Sequence, residues 1–270
     1  MKFKKHLVLF IWELKSYLKV KKAIPILLTL VLFDLLLLSR FLDLSLFLEK
    51  GLTRSGLIAF AYGDLLYVFL YFIVPVIASM SVAEDIDRGM TRTYLTLPVT
   101  RKSYFTVKII SDLLVMSVCI NLPLWSAYLF LGVFRNIWFD VRVLRFSISL
   151  FLCLTVLYFV SLLWAVIQPY GTGSALSAII TLNLWYFLPA FLFTFFPKTA
   201  DSHIFLYSFT PDALLNYFFD FLYMFPFNNV MSQIWLEKYY WVVRNALVTS
   251  ICVGLFSLVA AYVLFSRKDL

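Results

Sequence analysis

The chain has 270 residues, 63% of them hydrophobic and 14% charged, with a mean hydropathy of +0.91. A soluble domain averages about 45–50% apolar and about 25% charged residues, so no water-soluble fold hides this much apolar surface, and the class is an all-α polytopic membrane protein. The formal charge of +8 points to anionic lipid headgroups and to orientation across a bilayer; the basic residues follow no nucleic-acid-binding pattern, and no nucleic acid is expected as a partner.

Residues 1–22 form an amphipathic, basic stretch. Phe3, Leu7, Phe10, Leu14 and Tyr17 recur at steps of three and four, while Lys4, Lys5, Lys15, Lys19 and Lys22 lie mostly off that stripe. Such a helix suits the headgroup plane, and a lysine-rich cytoplasmic flank has the same composition. No small-residue cleavage site follows a short apolar core, so the first span is expected to act as the insertion signal.

A hydrocarbon core about 30 Å thick needs about 20 helical residues, and six stretches meet that need. They are expected near 23–39, 64–82, 104–133, 143–168, 174–196 and 244–265. Pro25 is tolerated in a first turn, and Pro123 and Pro189 are candidate kinks. Cys119, Cys153 and Cys252 each fall inside an expected span, which gives no disulfide framework.

An even number of spans puts both termini on one side. That side holds residues 1–22, 83–103 with Lys108, 169–173 and 266–270, and carries 14 of the 23 Lys and Arg. The positive-inside rule makes it the cytoplasmic side. The expected location is the plasma membrane, multi-pass, with a single membrane domain over 1–270.

The stretch from Glu84 to Lys108 is a charged, helix-capable island between two spans. Glu84, Asp85 and Asp87 precede Arg88, Arg92, Arg101, Lys102 and Lys108, an order that suits a helix dipole. Pro98 is expected to stop this helix, and Thr100 to cap the next, with Ser103 as the alternative. Residues 169–174 read as a tight, uncharged turn. The long segment 197–243 is aromatic; within it Thr210, Pro211 and Asp212 give a helix-start pattern before an amphipathic run over 213–225. That run fits either a helix dipping back into the protein or an interfacial aromatic belt.

The series Glu84, Gly89, Leu95-Thr96-Leu97-Pro98-Val99-Thr100-Arg101 and Lys108 resembles the cytoplasmic coupling segment of the ABC type-2 (exporter-like) transporter permeases. The likeness covers nearly the whole chain in layout and about 25 residues in detail. Family members usually carry Gly-Thr where this chain has Gly89-Met90. The resemblance implies a six-helix membrane domain with an N-terminal elbow helix, a cytoplasmic coupling helix and an outer re-entrant helix between spans five and six. It also implies the membrane-spanning subunit of an ATP-driven exporter, working with a second copy or a homologous permease and two copies of a separate ABC ATPase subunit. Residues implied for the ATPase contact are Glu84, Asp87, Arg88, Gly89, Arg92, Leu95, Pro98 and Arg101.

Catalytic patterns are missing from the sequence itself. There is no G-x-x-x-x-G-K-[ST] loop, no HExxH, and no credible Ser-His-Asp or Cys-His set with His6 and His203 so far apart. No enzymatic activity, cofactor or metal is therefore expected in this chain; ATP and Mg would sit on the partner. Ionisable residues within spans are costly and become candidate sites by default. Asp34 lies in the first span and fits either a polar route or a structural hydrogen bond. Lys108 and Asp112 are four apart on one helix face, a spacing that favours a structural pair over substrate binding. Asp64 reads as a cap, and Asn121, Gln168 and Asn183 as groups able to bridge spans. Two other classes remain open on sequence grounds: a non-transporting membrane anchor or regulatory subunit, and an ion-coupled secondary carrier.

Overall fold

The computed structural model describes residues 2–17, 31, 69–87, 100–135, 141–168, 170–193, 209–210 and 229–268. These hold six helices: α1 (Lys2–Tyr17), α2 (Phe69–Asp87), α3 (Arg101–Arg135), α4 (Val141–Ile167), α5 (Gly171–Phe193) and α6 (Asn229–Arg267). Four of them contain stretches long and apolar enough to cross a membrane: Phe69–Asp87, Arg101–Leu122, Leu150–Ile167 and Arg244–Arg267. This is a helical membrane protein. The expected first span, with Asp34, and the segments around Asp64 and over 211–225 lie outside the described residues.

The helix α4 is the hub. It packs against α6, α5, α2 and α3, and Leu150, Cys153, Leu154, Leu157, Tyr158 and Leu162 are fully buried there. From α2 the core receives Phe69, Leu70, Tyr71, Val74 and Ala78. Tyr71 meets Tyr186 of α5 edge-on at 5.2 Å, and Phe265 of α6 stacks on Tyr104 and Phe105 of α3. Between helices in lipid, contacts of this kind act through close packing, because lipid tails are as apolar as the side chains themselves.

Hydropathy and helix ends differ in two places. α6 begins at Asn229, so the stretch 229–243, expected as the last part of an outer loop, is helix continuous with the last span. Glu237 and Lys238 end the apolar window without ending the hydrogen-bond ladder, since charged residues are good helix formers. Glu84–Asp87 likewise continues α2 with no break after Ala83. The three acids therefore do not open a separate helix. α3 and α5 run on through Pro123 and Pro189.

α2 is not a regular α-helix. Its residues Phe69–Ile73 and Ser79–Ala83 form wide π turns around a short α stretch. Pro75 accounts for the first, as it has no N–H to give and its ring clashes with the carbonyl four residues back. In the second, the Glu84 N–H reaches back five residues to the Ser79 carbonyl. Single π turns of this kind recur at functional sites.

One end of the bundle gathers the end of α2, the start of α3, the end of α4, the start of α5 and the end of α6. Thr100 caps α3 as expected, its Oγ1 accepting the Ser103 N–H at 3.2 Å in the third helical position. Arg101 donates from Nη1 to the carbonyls of Ser266 (2.7 Å) and Lys268 (3.1 Å), tying the start of α3 to the end of α6. Lys268 in turn donates from Nζ to the Val166 carbonyl at 2.7 Å, at the end of α4. Cations at helix C-termini satisfy the unpaired carbonyls there and oppose the negative end of the dipole. Burial lowers the Lys268 ammonium from its ordinary value.

At the turn before α5, a Cβ on Gly171 would sit 3.2 Å from Glu84 Cγ. The absent side chain thus lets Glu84 approach the α5 N-terminus. Gln168 closes the same turn, its Oε1 accepting from Ser177 Oγ at 3.0 Å. α4 ends at Ile167 and α5 begins at Gly171, so the connection is tight, and Gly171–Ser174 of the turn expected over 169–174 already belongs to α5.

Candidate functional site

About 10 Å into the bundle from the start of α3, at the helical rise of 1.5 Å per residue, lies a buried ionic cluster. Lys108 on α3 is only 2% exposed. Its Nζ pairs with Glu13 Oε2 of α1 at 3.0 Å and with Asp85 Oδ2 of α2 at 2.7 Å. Tyr104 Oη also donates to Asp85 Oδ2, at 2.8 Å. One turn further along α3, Asp112 is fully buried. It accepts three hydroxyls: Tyr17 from α1 on Oδ1, and Ser81 from α2 and Tyr158 from α4 (2.8 Å) on Oδ2. Four helices therefore meet on two side chains of α3.

The spacings fix how the helices run. Glu13 and Tyr17 are one turn apart, as are Lys108 and Asp112, and they pair in the same order, so α1 runs alongside α3 in the same direction. Ser81 and Asp85 pair with Asp112 and Lys108 in the reverse order, so α2 runs opposite to α3. Ser81 lies in the second wide turn of α2, which presents it and Asp85 together to α3.

α1 is built inside out relative to a surface helix of a soluble protein. Leu9, Glu13, Ser16 and Tyr17 face inward, while Leu7 (47%), Val8 (66%), Ile11 and Trp12 are exposed. An apolar face turned outward is stable against lipid or another protein, not against water. Burial, and then the Asp112 carboxylate, raise the Tyr17 phenol well above its ordinary value, which keeps Tyr17 protonated and therefore a donor to Asp112.

Charge in a dry site is costly. Removing ions from water costs several kcal/mol per ion even after relaxation, and only close pairing with further hydrogen bonds offsets this. The return is uniqueness: no neighbouring register of α1, α2 and α3 joins the same partners. No family model matches the chain, and no curated protein matches it.

The expected site residues divide sharply. Lys108 and Asp112 share a face as their spacing implied, but each reaches partners on other helices. Glu84 sits in α2 against Gly171, and Asp87 is exposed. Arg101 is turned inward onto the end of α6. Arg88, Gly89, Arg92, Leu95 and Pro98 lie outside the described residues, as does Asp34. Asn121 and Asn183 donate to carbonyls of their own helices, at 2.9 and 2.8 Å.

Sequence reasoning passed over Glu13, Tyr17, Ser81, Asp85 and Tyr158 as partners. Glu13 carried a signal: it is the sole acid among residues 1–22. Among the described residues no group of three His, Cys, Asp or Glu is arranged to hold a metal ion. All three cysteines are free thiols, Cys119 and Cys153 buried and Cys252 exposed.

Proposed function

We propose that this chain is the membrane-spanning permease subunit of an ATP-driven transporter of the exporter-like type, paired with a second permease copy or a sister permease and driven by separate ATPase subunits. The observation that carries the reading is the cross-link between α2 and α3. Ser81–Asp112 and Asp85–Lys108 clamp the two helices that lead into and out of segment 88–100. A force applied at that segment would move α2 and α3 as one body, and Arg101 would pass it to the end of α6. On this reading residues 84–101 lie at the cytoplasmic face, both termini share that side, and Arg88, Gly89, Arg92, Leu95 and Pro98 supply the ATPase contact. Six spans are too few to enclose a route alone, so the passage forms between two permease domains.

The test is co-purification with an ATPase subunit and ATP turnover in vesicles. Arg92→Glu with Leu95→Glu is expected to abolish complex recovery while the membrane domain still folds. Undiminished assembly and coupling would refute the docking surface. The buried charges favour one further reading, an ion-coupled carrier, because ionisable groups inside a membrane bundle commonly serve ion pathways. It predicts uptake or efflux driven by a proton gradient without ATP.

A further inference from the structure

The cluster holds more negative than positive charge. Among the described residues Glu13, Asp85 and Asp112 face one ammonium, that of Lys108. With all four ionised, two negative charges are left over in a buried place, where an uncompensated charge is strongly destabilising.

The three carboxyl groups are not alike. Asp112 accepts from three hydroxyls, the pattern that stabilises an anion. Asp85 accepts from Lys108 and Tyr104 and its side chain keeps 14% exposure. Among the described residues Glu13 uses only Oε2; its Oε1 is buried and has no hydrogen-bond partner there, and neither has Ser16 Oγ on the same inward face. Nearly all buried polar atoms in folded proteins are satisfied, so an open carboxyl oxygen inside an over-acidic cluster marks a binding position. What binds must bring positive charge. A hard metal cation takes about six or more oxygen ligands, and among the described residues no group of three His, Cys, Asp or Glu is arranged to hold one. A proton needs one oxygen.

We propose that Glu13, Asp85, Asp112 and Lys108 together form a proton-binding site that takes up one exchangeable proton through the open Glu13 Oε1, and that this proton holds α1 in its seat. The proton belongs to the coupled set. The groups facing it are Ser16 and Tyr17 from α1, Ser81 and Asp85 from α2, Tyr104, Lys108 and Asp112 from α3, and Tyr158 from α4. The site is assembled from four helices and exists only while α1 is seated, so the proton is bound by the seated state. Seating is therefore firm at low pH and weakens as pH rises. The inference holds whether or not an ATPase drives the chain.

Two measurements on the full chain in lipid nanodiscs test it. Infrared spectra in H2O and D2O are expected to show a protonated-carboxyl C=O band at neutral pH that shifts in D2O and disappears in Glu13→Gln. Spin labels at the exposed Lys15 and Lys102, in a background without native cysteines, then report the α1–α3 distance. The wild type should lengthen as the medium turns alkaline, and Glu13→Gln, a neutral mimic of the protonated state, should stay short throughout. A carboxyl band that survives in Glu13→Gln, or a wild-type distance that ignores pH, overturns the proposal. The wild-type titration decides even if the variant fails to fold.

Discussion

Two helices of this bundle are nearly equal in apolar character and opposite in use. Within Leu150–Ile167 of α4, 61% of the residues are buried by protein; within an 18-residue apolar stretch of Arg244–Arg267 of α6 only 22% are. α4 is packed on several sides by α2, α3, α5 and α6, while α6 leans chiefly on α4 and turns Leu255, Phe256 and Val259 outward. In water the second arrangement would be untenable. In lipid it costs nothing, because an exposed Phe there is solvated by hydrocarbon. Apolarity in this chain thus marks membrane depth and does not by itself separate the inside of the fold from its outer face, since Leu157 of α4 and Phe265 of α6 are fully buried while Phe256 is exposed.

That contrast breaks first at Lys108. Lys108→Met leaves Glu13 and Asp85 buried without a cation, and a broken buried pair costs about 3–5 kcal/mol. Denaturant unfolding in detergent should show a loss of that size, with α1 becoming accessible to protease. Leu157 of α4, fully buried, comes next. Leu157→Ala is expected to cost about 2 kcal/mol, the low end of the ~2–5 kcal/mol range for such truncations, because only packing and not hydration is lost in lipid. A cost near zero would show that α4 is not the hub. Thr100→Ala, which removes the α3 cap, should lower the unfolding free energy by about 1 kcal/mol. The smallest effect belongs to α6: Phe256, 72% exposed, should give a change within about 0.5 kcal/mol on replacement by Ala. A much larger loss at Phe256 would mean that this face meets protein instead of lipid, and cross-linking through the exposed Cys252 would identify the partner.

The helices were legible because a span needs length and apolarity, and both are local. Spans two to five lie within a few residues of α2 to α5, and Thr100 was readable as a cap from its type and place. Pairing was not local. Lys108 and Asp112 announce themselves four residues apart, yet Glu13 and Tyr17 lie 95 residues before them, and no pattern in the intervening chain states that α1 stands beside α3. The period of α1 was readable but not its sense. Apolar residues at helical spacing mark a face, and only the surrounding medium decides whether that face looks in or out. Tyr17, placed with Leu7 on one apolar stripe, is instead buried while Leu7 is exposed. Likewise the acids Glu84, Asp85 and Asp87 resembled the start of a helix by composition alone, while the ladder of α2 carries straight through them.

The distance in sequence between Glu13 and Lys108 also sets an order of events during synthesis. At about 5–20 residues per second, the ribosome needs roughly 5–20 s to make the stretch between them, and longer to reach Tyr158. Over that interval the first helix has no seat to enter. Its Leu7-Val8-Ile11-Trp12 surface can wait at the bilayer boundary, with the acid side toward water. Docking of α1 is thus among the last steps of assembly, long after α1 itself has been made.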